Sequence, residues 1–169
     1  MPAVPFAQMP DDARLWIFGA SRPLQPDEAE SLRSGVDRFV ESWAAHGAPV
    51  VGACEVRYGR FLLVAADERA TGVSGCSTDT LFHALAAAEQ ALGLSLRDGS
   101  LVFWRDADGE IHSAPRPEFR AMAARGEVGG DTVVFDNTTA TIAGLRQGRW
   151  ETPMAESWHG RAFPVAAER

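Results

Sequence analysis

The chain has 169 residues, a mass of 18.2 kDa and a formal net charge of −7, and all 16 of its basic residues are arginine. Mechanisms that need a lysine amine are therefore excluded, among them the phosphate-binding lysine of a P-loop, a pyridoxal Schiff base and a lysine nucleophile. A pI near 5.1 opposes the basic patch of a nucleic-acid binder, and 46% hydrophobic with 23% charged residues are the proportions of a globular protein.

Residues 1–12 are spotted with proline and read as irregular. Arg14 to Gly19 reads as a strand, with Leu15 and Ile17 on one face and Trp16 and Phe18 on the other. Pro26 suits the first position of a helix, and Asp27 and Glu28 complement its positive end. Leu32, Val36, Phe39, Val40 and Trp43 then form one apolar stripe, which Gly47 and Pro49 end.

Val50 to Tyr58 alternates between two faces, Gly59 turns the chain, and Phe61 to Ala66 returns as a more apolar, central strand. The polar loop Asp67 to Gly75 leads into an alanine-rich helix, Ser77 to Leu92, closed by Gly93. Leu101 to Trp104 is strand-like, and Asp108-Gly109 turns it into Glu110 to Ser113. The order to residue 105 is β-α-β-β-α-β. This predicts an α+β protein with a ferredoxin-like domain over 13–105, both helices covering one face of a four-stranded antiparallel sheet. Beyond it, Phe119, Met122 and Ala123 lie on a short helix closed by Gly126, Asp131 to Phe135 is a strand, and the remainder reads as irregular.

Two cysteines 22 residues apart form neither a disulfide framework nor a zinc pattern. No apolar run approaches the roughly 18 residues of a membrane span, and the first positive charge, Arg14, follows no signal-peptide pattern. The expectation is a cytoplasmic chain with no cofactor and no membrane or nucleic-acid partner.

The stretch Asp67-Glu68 followed by Ser74-Gly75-Cys76-Ser77-Thr78-Asp79 concentrates chemistry-bearing residues. It runs from a strand end into a helix start, where free amides and the helix dipole favour anions, a thiolate included. Cys76 is then a candidate nucleophile, His46 at the end of the first helix its candidate base, and Ser77 or Asn137 a polarising group. The plainer reading makes Ser77 an N-cap, Asp79 a first-turn acid and Cys76 a packed side chain. Asp67, Glu68 and Asp79 raise a thiol pKa and suit a metal or cationic ligand better.

Other patterns favour structural roles. Asp106-Ala107-Asp108-Gly109 lacks the remaining ligands of a calcium loop and reads as a hairpin turn. His46, His83, His112 and His159 show no paired metal-ligand spacing. Trp16 and Phe18 could stack bases on an open sheet, but the acidic charge favours their burial.

Two resemblances add to this reading. Trp43-Ala44-Ala45-His46-Gly47, Asp67-Glu68, Ser74 to Asp79, Val134-Phe135-Asp136-Asn137 and Ser157-Trp158-His159 occur in an order similar to that of a family of small bacterial proteins often labelled "ABC transporter ATPase". The label does not suit this sequence, which has no GxxxxGK[ST] motif, and the resemblance brings no catalytic residue with it. Residues 103–135, with Phe103-Trp104, Glu118-Phe119-Arg120, Gly126-Glu127-Val128 and Asp131 to Val134, resemble a GYF-type module. Ser113-Ala114-Pro115 stands where that module has its Gly-Pro-aromatic signature. This resemblance implies a second unit over 106–169 that binds a peptide or protein, docked on the first.

The functional expectation is an interaction or ligand-binding protein that is not an ATPase. Its polar focus would be Asp67, Glu68, Ser74, Ser77 and Asp79, with Asn137. A thiol enzyme using Cys76 and His46, and a metal-dependent enzyme at Asp67, Glu68 and Asp79, are the alternatives.

Overall fold

The computed structural model describes residues 4–69 and 75–166, with the backbone but not the side chain of Cys76. Strand β1, Arg14–Gly19, leads to helix α1, Pro26–Ser42, which opens with Gln25 and Glu28 in a reciprocal capping box. Two short strands, β2 (Ala44–Ala45) and β3 (Ala48–Pro49), pair around His46 and Gly47, both at positive φ. That is the conformation of a two-residue hairpin turn. The long strands β4, Val51–Arg57, and β5, Phe61–Asp67, follow, and then helix α2, Gly75–Leu92.

The first sheet has the order β1-β5-β4, with β5 antiparallel to both neighbours. Both faces of β5 are buried, as its unbroken apolar run dictates. Leu62, Val64 and Ala66 join Leu32, Val36 and Val40 of α1 and Leu81 and Leu85 of α2 in one core. The helices run antiparallel: Trp43 after α1 donates its indole N–H to the Ser77 carbonyl (3.0 Å), and Arg22 before α1 reaches the Leu92 carbonyl (2.7 Å).

Phe61, Leu63 and Ala65 face the other way, toward Phe103, Phe135 and Trp150. Phe103 and Phe135 belong to a second sheet, which Trp150 adjoins, formed by β6 (Leu101–Arg105), β7 (Ile111–Pro115), β8 (Val133–Phe135) and β9 (Glu151–Pro153), in the order β7-β6-β8-β9. On its outer face α3, Arg116–Ala124, and the segment Met154–Phe163 bury Val102, Trp104, Phe119 and Phe163 in a third core. The layers are helices, sheet, sheet, helices. Short helices α4 (Ile142–Arg146) and α5 (Trp158–Ala162) complete the chain. Among the described residues no helix is long and apolar enough to cross a membrane.

The mixed α+β class is as expected, and so is the placing of both long helices on one face of the first sheet. The fourth strand is not. Leu101–Arg105 pairs with β7 and β8, so the boundary expected at residue 105 falls at the turn between two paired strands. The reason lies at Gly19, where an added Cβ would sit 2.3 Å from the Phe103 ring. Phe103 occupies the face of β1, so β6 crosses over that strand instead of lying beside it. Part of the outer edge of β1 is taken by a distant segment: Leu15 N–H donates to the Ala140 carbonyl (2.9 Å) and Ile142 N–H to the Ala13 carbonyl (3.1 Å). The stretch after Phe135, read as irregular, holds α4, β9 and α5.

Arg60 ties the two sheets together. It is buried, and its guanidinium donates to the carbonyls of Ala20 (2.9 Å) and Ile111 (3.3 Å) and to the Ser113 hydroxyl (2.6 Å). Burial lowers its pKa, but a guanidinium remains charged far above neutrality.

Candidate functional site

The segment singled out from the sequence is largely self-satisfied. Asp67, at the end of β5, accepts hydrogen bonds from the Arg69 guanidinium and amide, which hold its pKa below the usual carboxylate range. Glu68 lies 3.5 Å from Arg14, whose guanidinium also covers the Trp16 ring. Asp79 is exposed. No group of three His, Cys, Asp or Glu residues that could hold a metal ion exists among the described residues.

Ser74 lies outside the described residues, as does the Cys76 side chain. Helix α2 starts at Gly75, so Cys76 and Ser77 are inside its first turn and not before it. Ser77 is therefore not the N-cap. It is buried, and its carbonyl accepts from Trp43 Nε1 and from the Thr80 hydroxyl (2.7 Å). His46 is an exposed hairpin-tip residue instead of a helix cap, because a two-residue turn needs left-handed backbone there. The Trp43–Ser77 bond nevertheless sets the hairpin strand β2 against α2. Cys54, the other thiol, is half-buried, and its Sγ lies 3.1 Å from an Asp37 carboxylate oxygen. Burial, followed by that carboxylate, pushes its pKa up and keeps it protonated.

Asn137 lies elsewhere. It stands with Thr138 at the mouth of a cleft of about 280 Å³ between the two sheets. The β1 residues Ile17 to Gly19 and Phe82 of α2 line one side. Phe103 of β6, Arg116 of α3, and Trp158 and His159 of α5 line the other. This cleft collects polar groups that the packing leaves uncommitted.

Ser157 caps α5, its hydroxyl oxygen accepting the His159 amide (3.2 Å). The same oxygen lies 3.2 Å from the Met154 carbonyl and 2.8 Å from His159 Nδ1. All three contacts of this oxygen are satisfied together when Nδ1–H donates to Ser157 and the hydroxyl proton goes to the Met154 carbonyl, whereas a hydroxyl that donates to Nδ1 leaves the Met154 contact unused. In the fully satisfied arrangement His159 Nε2 carries a lone pair, and it has no partner among the described residues. His159 is 1% exposed, and burial pulls its pKa down to about 4, with Asp136 opposing and Arg116 reinforcing the shift. The imidazole is neutral at physiological pH.

Trp158 stacks on His159 with ring centroids 4.0 Å apart. Its Nε1–H is buried without a hydrogen-bond partner, the single side-chain donor so placed among the described residues. A buried donor without an acceptor costs on the order of 1–3 kcal/mol, and natural folds retain few of them. Arg116 lies over the Trp158 ring at 5.2 Å, forms a long bond to the Gly99 carbonyl (3.3 Å), and has no carboxylate partner among the described residues. It is exposed and occupies the first position of α3, where the helix dipole disfavours a cation.

Sequence reasoning reached Ser157-Trp158-His159 only as part of a resemblance. The usable signal was the serine two residues before a histidine at a helix start, but nothing local shows that the pair faces a cleft. No protein-family model matches the chain, and no curated protein or solved structure is significantly similar to it.

Proposed function

We propose that this protein binds a small molecule, and that the cleft between its sheets is the binding site. The observation that carries the reading is the buried, unpartnered Nε1–H of Trp158, a residue that lines a cleft together with Arg116 and a neutral His159. The cleft, at about 280 Å³, is near the lower end of the roughly 300–1,000 Å³ typical of ligand pockets, and it has their mixture of aromatic wall and few polar groups. A fragment screen by thermal shift tests this, with Thr138→Trp blocking the mouth. Fragments that raise the Tm of the wild type should lose their effect in the variant. Equal stabilisation of both proteins overturns the reading.

The first sheet with α1 and α2 supports a ferredoxin-like description limited to the split β-α-β core, three strands with the late strand in the middle. A second functional reading, thiol chemistry at Cys76 with His46, is favoured by the packing of the His46 hairpin on the helix that carries Cys76. It predicts rapid iodoacetamide labelling of Cys76 near pH 7 that slows in His46→Gln. Labelling only after denaturation overturns it.

A further inference from the structure

The polar groups of the cleft differ in what they offer. Three side chains have donors to give: the Arg116 guanidinium, the Trp158 Nε1–H, and the amide NH2 of Asn137, whose oxygen already accepts from Trp150 (2.9 Å). The carboxylates nearby hold their own turns, Asp98 through Ser100 and Asp136 through the Thr138 amide and hydroxyl. The Arg97 charge is spent on Glu89. His159 Nε2 is the acceptor that the wall adds, and it is uncharged.

Such a wall discriminates by charge and by hydrogen-bond direction. A cation meets Arg116, and the one carboxylate of the lining, Asp98, is already engaged by the Ser100 amide and hydroxyl. A purely apolar molecule leaves the Trp158 donor unsatisfied. An anion satisfies both, through a charge-assisted pair with Arg116. Arg116 is otherwise held by one long bond, so turning it onto the anion uncovers the indole beneath. The space of about 280 Å³ corresponds to about nine waters at roughly 30 Å³ each, and Phe82 and Phe103 give it flat apolar sides.

We infer that the cleft takes a small aromatic acid bearing a hydroxyl or amino donor. Its carboxylate meets Arg116 and Trp158 Nε1–H, its ring lies against Phe82 and Phe103, and its O–H or N–H donates to His159 Nε2. This rests on the cleft being the binding site and adds the charge of the ligand and the direction of each hydrogen bond.

The test is an NMR titration of protein labelled with ¹⁵N-tryptophan, using 4-hydroxybenzoate, benzoate, 4-hydroxybenzyl alcohol and the cation 4-hydroxybenzylamine. Trp43, whose indole N–H is bonded to the Ser77 carbonyl away from the cleft, serves as internal reference, and Trp158→Phe assigns the reporting signal. The Trp158 signal should move saturably with 4-hydroxybenzoate, with affinity about tenfold above the alcohol and about threefold above benzoate. Arg116→Gln should abolish the preference for acid over alcohol without weakening the alcohol. An alcohol that matches the acid, or an Arg116→Gln variant that keeps the preference, overturns the inference. If only neutral or cationic fragments move the Trp158 signal, the ligand class falls while the binding site stands. If no fragment of any charge moves it, both fall.

Discussion

The Asp67–Asp79 segment and the inter-sheet cleft are opposites in composition and in state. The segment is rich in charge, yet Asp67 and Glu68 are matched by Arg69 and Arg14 a short distance away. The cleft has few ionisable groups, yet among the described residues Trp158 Nε1–H and His159 Nε2 are unmatched and Arg116 lacks an ion partner. Charge density on its own says little about a site. What matters is which groups folding has left without partners, and at what cost.

Substitutions on the two sides of this contrast should behave differently. The largest effect is expected at Gly19, where any Cβ collides with the Phe103 ring. Gly19→Val should destabilise the protein by roughly 3 kcal/mol or more in urea unfolding, because the ring has a buried position to vacate. An unchanged midpoint would mean that the sheets do not meet there.

His159 should dominate the pH dependence contributed by the cleft. Its folded pKa, about 4, lies below the ordinary histidine value of 6.5, so the unfolded chain binds a proton that the folded one refuses. The stability conferred by the neutral imidazole is full above pH 6.5 and is lost as pH falls toward 4, by roughly 3 kcal/mol in all. His159→Gln should flatten that part of the acid limb. Urea midpoints with identical pH slopes in variant and wild type would contradict the assignment.

A smaller effect separates the tryptophans. Trp43→Phe and Trp150→Phe each lose ring atoms and a hydrogen bond, whereas Trp158→Phe loses ring atoms and an unsatisfied donor. Trp158→Phe should therefore be milder by about 1 kcal/mol, measured by chemical denaturation. Smallest of all is Arg69→Ala, in which a pair with a 62% exposed guanidinium is removed. It should change stability by less than about 0.5 kcal/mol, and a larger loss would show the segment to be more than a solvated ion pair.

Much of the fold was legible because burial has a local period. Phe61 to Ala66 reads as a central strand from its unbroken apolar run, and β5 is central. Of the stripe Leu32, Val36, Phe39, Val40 and Trp43, the residues Leu32, Val36 and Val40 are the buried side of a helix, Phe39 is half-buried, and Trp43 lies one residue past the helix end. The turn at Asp108-Gly109 follows from its residues, with Asp106 accepting the amides of Asp108 and Glu110. The candidate site was far less legible. Ser77 has a good N-cap composition, but the helix starts two residues earlier, and His46 follows a helix only to become the tip of a hairpin.

The sequence by itself determined which residues are apolar on which face of each strand and helix, since periods of two and 3.6 are properties of the local backbone. Only the tertiary structure decided what each face meets. The apolar run Leu101 to Trp104 suits a strand of the first sheet as well as the middle of the second, and the choice rests on Phe103 seating on Gly19, some eighty residues away. The same long-range packing opens the cleft and brings Arg116, Asn137, Trp158 and His159 around it from separate segments. Whether a polar side chain finds a partner is settled by which distant elements pack against it, and that is why the satisfied charges were conspicuous in the sequence and the unsatisfied donor was not.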